Sequence, residues 1–212
     1  MKWLVPKMWQ GRTVYIVGGG SSIKNLDLSL IHNERCIGVN NSYMFGNWID
    51  ICWFGDSRWF EWHSTHKQFR EGWRDFQGIQ ACCVDRCCDH KRVKYLERSI
   101  KADGIDVNPS KVCWNKTSGA SAINLAYHLG AKLIVLIGFD MQIVNGEENW
   151  HNDHVKHGDN LNPYPKYLDV FPAISRDLKS LKVDIVNTSL DSTIPEEIIT
   201  KKPLEDVVKG GL

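Results

Sequence analysis

Six short segments of the 212-residue chain carry residue types able to do chemistry. The first is Gly18-Gly19-Gly20-Ser21-Ser22, which follows the β-branched and aromatic run Thr13–Val17. A strand, a glycine turn and a helix start form a nest in which backbone N–H groups approach an anion and the helix end adds partial positive charge. The second, Asn40-Asn41-Ser42-Tyr43, ends the next apolar run and offers amides that can read a base or a ribose; an ordinary Asx turn has the same composition. The third spaced glycine of a dinucleotide fingerprint is missing. An NAD binder would also carry an acid where Asn40 and Asn41 stand. The third segment, residues 115–121, opens a helix with Thr117, Ser118 and Gly119, a second helix start suited to phosphate or carboxylate, or simply a cap. The fourth, Gly138-Phe139-Asp140-Met141, ends the most apolar run. Its Asp140 could bind ribose hydroxyls or a metal, or cap a turn.

The fifth segment, residues 150–159, holds His151, His154 and His157 with Asp153 and Asp159. Histidine titrates near neutral pH and serves as general base or metal ligand, but the spacing matches no zinc motif. The sixth, residues 82–90, holds Cys82, Cys83, Cys87, Cys88 and His90. Tetrahedral zinc sites draw ligands from two separated knuckles, so a single run of this kind argues against zinc, and no metal site is assigned.

Strand and helix signals alternate along the chain and must position these segments. Strands are predicted at 13–17, 35–39, 50–54, 78–84, 111–114, 132–138 and 183–187. Helices are predicted at 22–31, 60–76, 91–101, 118–129 and 167–181. The run 118–129 carries Thr117 or Ser118 as cap and Gly130 as stop. The continuous apolar run 132–138 reads as a strand covered on both faces. Alternation of this kind implies a Rossmann-like α/β fold, a mostly parallel sheet with helices on both faces and all strand C-termini on one edge. One domain over 1–212 is expected, with an active-site loop at about 141–166 whose length and polarity are wrong for a plain connector.

Composition narrows the classes further. The apolar fraction is 42% and the formal net charge is +1, so no basic excess indicates nucleic-acid binding. No run is long enough to cross a bilayer, the N-terminal segment lacks signal-peptide character, and seven cysteines fit reduced buried thiols. The expectation is a cytoplasmic protein, with self-association left open.

Four of these segments, in this order, resemble two enzyme groups. Gly18-Gly19-Gly20-Ser21-Ser22-Ile23, Gly38-Val39-Asn40-Asn41-Ser42-Tyr43, the 117–124 run and Leu136-Ile137-Gly138-Phe139-Asp140-Met141 look like the 6-hydroxymethylpterin diphosphokinase-like family and like the bacterial sialyltransferases that use CMP-sialic acid. Most of the chain is similar to uncharacterised phage and prophage Rossmann-like proteins. These share the 54–63 segment (Phe-Gly-Asp-x-x-Trp-Phe-Glu-Trp-His), the Trp150-His-x-Asp-His loop and the late Asn187-x-Ser189-x-x-Ser192 run. The sialyltransferase resemblance implies nucleotide contacts from Gly18, Gly20, Ser22, Asn40, Ser118 and Gly119, with His154 or His157 as catalytic base. Gly19 and Ser21 stand where those enzymes have Asn and Pro. The diphosphokinase-like resemblance implies Asp56 as a Mg²⁺ ligand. Together the expected nucleotide-binding set is Gly18, Gly19, Gly20, Ser21, Ser22, Asn40, Asn41, Asp56, Thr117, Ser118, Gly119 and Asp140. The leading expectation is a glycosyltransferase-like transferase that takes a nucleotide or nucleotide-sugar and requires no cofactor. The alternatives are a pyrophosphokinase-like enzyme with Mg²⁺ on Asp56 and Asp140, and a non-catalytic nucleotide-binding phage protein.

Overall fold

Leu133–Ile137 is five apolar residues in a row, and all five are buried, as a strand covered on both faces requires. It lies near the middle of an eight-stranded sheet in a computed structural model that describes residues 2–151, 153 and 162–210. The strands are β1 (Thr13–Val17), β2 (Arg35–Val39), β3 (Ile51–Phe54), β4 (Ile79–Cys82), β5 (Val93–Tyr95), β8 (Leu133–Ile137), β9 (Asp184–Asn187) and β10 (Thr200–Lys201). A separate pair, β6 (Glu97–Arg98) and β7 (Lys111–Val112), lies outside that sheet. The sheet order is β10-β9-β8-β1-β2-β3-β4-β5, and every pairing is parallel.

The chain winds outward from β1 to β5, then returns to β8 on the other side of β1 and winds away again. The strand order therefore reverses between β1 and β8, and a ligand crevice of an open α/β sheet lies outside the carboxyl ends at such a point. Side chains of β1 alternate between the two faces. Val14 and Ile16 join the core under α3 (Ser118–Leu129) and α5 (Phe171–Ser180). Tyr15 and Val17 join the core under α1 (Ser57–Thr65), α2 (Lys67–Asp75) and α6 (Leu204–Val208). This is the predicted fold class, with helices on both faces.

Four predicted elements differ from those observed. The run 22–31 forms two 3-10 segments, Ser21–Asn25 and Leu28–Ile31, because the Asp27 side chain takes the Ser29 N–H at 3.0 Å and starts a new turn there. The run 60–76 divides at His66, whose extended backbone ends α1 and caps α2. The charged run 91–101 holds the two short strands β5 and β6 between bends, not a helix. Val93 and Tyr95 are buried around exposed Lys94, a period of two that the charges obscured. The run 167–181 divides into α4 (Tyr164–Leu168) and α5, with Pro172 in the first turn of α5, where a missing N–H costs nothing. Among the described residues no helix is long and apolar enough to cross a membrane.

Candidate functional site

The site is built where three loops are tied to the end of β1. The Ser42 hydroxyl donates to Gly18 O at 2.7 Å, the Trp150 N–H donates to Gly19 O at 2.9 Å, and the Gly20 N–H donates to Gly138 O at 2.9 Å. Close approach explains the glycines. A Cβ on Gly18 would lie 2.8 Å from Gly138 O, one on Gly19 2.8 Å from Asn149 Oδ1, and one on Gly20 2.5 Å from Asp140 Oδ2. Gly20 itself has ordinary extended dihedrals, φ −62° and ψ 148°. The three glycines therefore let loops meet; no left-handed turn requires them.

Asp140, 3% exposed, is turned back onto the first turn. Its Oδ2 accepts the Ser22 N–H at 2.9 Å and its Oδ1 accepts the Ser22 hydroxyl at 2.5 Å. The amide that the glycine turn and Ser22 were expected to offer a ligand phosphate is taken by the protein's own carboxylate. No α-helix begins at Ser22 either, so the expected helix-end charge is reduced to that of a five-residue 3-10 turn. The late segment holds this arrangement. The Ser189 hydroxyl lies 3.1 Å from the Ser22 hydroxyl and accepts the Phe139 N–H at 3.1 Å. Phe139 O accepts from the Asn187 amide and the Ser192 hydroxyl at 3.2 and 2.6 Å.

The N-terminus of α3 opens on the same edge. Asn115 and Lys116 take consecutive left-handed conformations, φ 51° and 61°, and turn the chain into the helix. Thr117 caps it by accepting the Ala120 N–H at 3.0 Å. The amides of Ser118 and Gly119 belong to the first turn and have no acceptor within the helix. The Phe139 ring joins the two anion-seeking segments, since a Cβ on Gly18 or on Gly119 would lie 3.1 or 3.2 Å from it. The Ser118 hydroxyl accepts the Gly55 N–H at 3.1 Å. Arg98 donates to Gly55 O at 2.8 Å and to Cys83 O at 3.0 Å, and lies over the Trp114 ring at 4.1 Å. Nothing local in the sequence marked this arginine.

After β2, Asn40 adopts φ 53° and Asn41 is 2% exposed. The Trp59 indole N–H donates to Asn41 Oδ1 at 2.7 Å, which fixes the amide and turns its NH₂ away from α1. Tyr43 and His63 share a 2.9 Å hydrogen bond, and Trp59 and Phe69 stack on either side of the imidazole. Burial, reinforced by the charge of nearby His151, pushes the His63 pKa down to about 3 and keeps it neutral. Four buried polar atoms near the tie-point have no hydrogen-bond partner among the described residues: Ser21 Oγ, Asn40 Oδ1, Asn41 Nδ2 and Trp150 Nε1. An unmade buried hydrogen bond costs about 1–3 kcal/mol. Buried polar atoms in this state are ordinarily satisfied by a bound polar ligand or by water.

The structure thus brings Gly18, Gly19, Gly20, Ser21, Ser22, Asn40, Asn41, Thr117, Ser118, Gly119 and Asp140 to one edge. Asp56 follows Gly55 at the carboxyl end of β3 and is the N-cap of α1, accepting the Arg58 N–H at 2.8 Å. Both Asp140 oxygens accept from Ser22, and the Asp56 carboxylate accepts the Arg58 N–H. Among the described residues no cluster of three His, Cys, Asp or Glu could hold a metal. His154 and His157 lie outside the described residues; the nearby His151 Nδ1 accepts the Asp153 N–H at 3.2 Å.

No protein-family model and no curated protein matches the chain. Among solved structures it is similar to the sialyltransferase CstII from Campylobacter jejuni in complex with cytidine-5'-monophosphate. That match has a TM-score of 0.54 and 18% identity over 92% of this chain and 86% of that one. The same enzyme in complex with CMP-3FNeuAc matches with a TM-score of 0.54 and 16% identity, covering 91% and 87%. The MAf glycosyltransferase from Magnetospirillum magneticum AMB-1 matches with a TM-score of 0.59 and 16% identity over 95% of this chain, which spans 37% of that protein. At these identities the likeness is one of fold: this chain shares the α/β architecture of glycosyltransferases.

Proposed function

We propose that the chain is a nucleotide-dependent transferase of glycosyltransferase type. It takes a nucleotide-activated donor at the crevice between the first turn, the Asn40–Asn41 turn and the start of α3. The observation that carries this reading is the set of four buried polar atoms without a partner among the described residues, located just past the carboxyl ends of β1 and β2 and at Trp150, whose N–H is tied to Gly19 O. They offer two fixed donors, Asn41 Nδ2 and Trp150 Nε1, an acceptor, Asn40 Oδ1, and the Ser21 hydroxyl, a mixture suited to the neutral hydroxyl, carbonyl and ring atoms of a nucleoside or sugar. The fold likeness supports the same class, and the nucleotides named in two of those structures make cytidine nucleotides the first probes. Group transfer needs a base within reach of the acceptor hydroxyl, a role we assign to His154 or His157, and donors for the departing phosphate, which Ser118 and Gly119 would supply.

The test is calorimetric titration with CMP, UMP, ADP and ATP, with and without EDTA, followed by a donor-hydrolysis assay with the matching nucleotide sugar. Saturable binding that survives EDTA and weakens at least tenfold in Asn41→Leu supports the proposal. Absence of binding by every nucleotide at millimolar concentration overturns it. Binding only with Mg²⁺ would overturn the metal-independent part.

A further inference from the structure

Arg98 stands at the edge where ligands of open α/β sheets bind. It belongs to β6, outside the main sheet, yet its side chain spans the carboxyl ends of two main strands. Gly55 is the first residue after β3 and Cys83 the first after β4. The guanidinium donates from Nη2 to Gly55 O and from Nε to Cys83 O, with the Trp114 ring beneath it. Trp114 fills the space that a Cβ on Gly55 would need, and the Gly55 N–H is donated to the Ser118 hydroxyl. A single residue, Gly55, therefore links the cation to the start of α3.

Two features set Arg98 apart from an ordinary surface arginine. Its head is held by two carbonyls and a ring, which offsets the rotamer freedom a long side chain loses on ordering. Its charge is also unanswered. Among the described residues Arg98 forms no ion pair, and its Nη1 has no hydrogen-bond partner. The other cations of these loops differ, since Lys101 pairs with Asp177 and Lys116 with Asp169. The first turn of α3 contains no acidic residue either. Carbonyls orient a guanidinium without neutralising it, so this corner of the edge favours an anion.

We propose that Arg98 is a phosphate-binding residue that takes the phosphate of the nucleotide donor, together with the first-turn amides of Ser118 and Gly119. The inference rests on the nucleotide reading above and adds the cation that a phosphate needs. The glycine turn does not supply one, because its Ser22 amide is spent on Asp140. Arginine suits the task better than lysine. Its planar fork can hold the protein with two nitrogens and an anion with the third.

The test uses the full chain at constant ionic strength, titrated with inorganic pyrophosphate and with CMP against cytidine. Cytidine lacks the phosphate and probes the neutral half of the crevice alone. Wild-type protein is expected to bind pyrophosphate saturably and to bind CMP more tightly than cytidine. In Arg98→Gln both the pyrophosphate affinity and the CMP preference should fall about tenfold, with cytidine affinity unchanged. Arg70→Gln, at an exposed position of α2, removes the same charge and should change neither. Should Arg98→Gln fail to fold, Arg98→Lys carries the test, because it keeps the charge without the fork and should still lower the CMP preference. Loss of CMP and cytidine affinity by the same factor would overturn the proposal, since a staple between β3 and β4 needs no phosphate. Pyrophosphate affinity and CMP preference that are absent in the wild type, or unchanged in Arg98→Gln, would overturn it too. Arg98-dependent pyrophosphate binding without binding of CMP or cytidine would support the phosphate site and overturn the nucleotide reading alone.

Discussion

Gly20→Ala separates two accounts of the first turn. If the glycines exist to let a ligand phosphate approach, a methyl at Gly20 removes binding and leaves the fold intact. The structure gives a different answer. The new Cβ would lie 2.5 Å from Asp140 Oδ2 and 2.7 Å from Gly138 O, whereas ordinary contact begins at 3.4 Å. Gly138 O is held by the Gly20 N–H at 2.9 Å and cannot retreat without losing that bond. The carboxylate must therefore move by about 0.9 Å, enough to break its bonds to the Ser22 N–H and hydroxyl. Hydrogen bonds to a charged group contribute about 1.5–3 kcal/mol each, and partial rebuilding leaves an expected loss of about 2–4 kcal/mol.

For a chain of this length that corresponds to a fall in Tm of about 5–15 °C by calorimetry or thermal circular dichroism. Gly19→Ala is the control, because its Cβ meets only the end of the Asn149 side chain, which can swing aside. Combining Gly20→Ala with Asp140→Ala should cost less than the two single changes added, since the carboxylate that clashes has gone. A Gly20→Ala protein with unchanged Tm and no nucleotide affinity would refute this reasoning and restore the phosphate-nest account.

Trp59→Phe removes the donor that orients Asn41. It should weaken nucleotide binding about tenfold while Tyr43, His63 and Trp73 keep their packing, as followed by titration and near-ultraviolet circular dichroism. His63 predicts a pH dependence of stability. Its folded pKa of about 3 lies below the ordinary 6.5, so as pH falls below 6.5 the unfolded chain takes up a proton that the folded chain refuses. Stability should therefore decline by up to about 1.4 kcal/mol per pH unit between pH 6.5 and pH 3. His63→Gln should flatten urea-unfolding stability over pH 7.5–5, and an unchanged slope would count against the assignment. On the proposed function, replacing the base among His154→Ala and His157→Ala should lower kcat by about 10²–10⁴-fold with little change in binding. Near wild-type kcat in both variants would move the role elsewhere.

The parts of the fold legible in sequence were those governed by local physics. Parallel strands covered on both faces are written as apolar runs, and Leu133–Ile137 could hardly be anything else. The helix Ser118–Leu129 was bracketed by a cap and a stop, and both are used, with Gly130 left-handed at φ 95°. Residues 22–31 carried apolar residues at helical spacing, but Asp27 competes for a backbone amide and breaks the run. Residues 91–101 were read by their charges, while the burial of Val93 and Tyr95 was decided by pairing with β4. At the candidate site, residue types were legible and partnerships were not. Asp140 and Ser22 are 118 positions apart, and Trp59 and Asn41 are 18. No spacing rule reaches across such separations. Arg98 reaches the edge from a two-residue strand outside the main sheet, which no periodicity signals.

The partnership of Asp140 with Ser22 bears on how a charged donor would lie in this crevice. A phosphate seated on the first turn would face a buried carboxylate. At 4 Å, like unit charges repel by about 4 kcal/mol in surroundings with an effective dielectric near 20. Across the Phe139 ring the local field has the opposite sign. The first-turn amides of α3 point outward from a capped helix, and the Arg98 guanidinium is anchored to Gly55, which is bonded in turn to Ser118. On the proposed reading, then, the edge is polarised. The phosphate would then lie toward Thr117, Ser118 and Gly119, and the neutral part of the donor against Ser21, Asn40, Asn41 and Trp150, whose buried polar atoms have no partner among the described residues. Phe139 separates the two halves, and the contacts from Asn187, Ser189 and Ser192 hold it and Asp140 in place. That arrangement gives the late segment a purpose its sequence alone did not reveal.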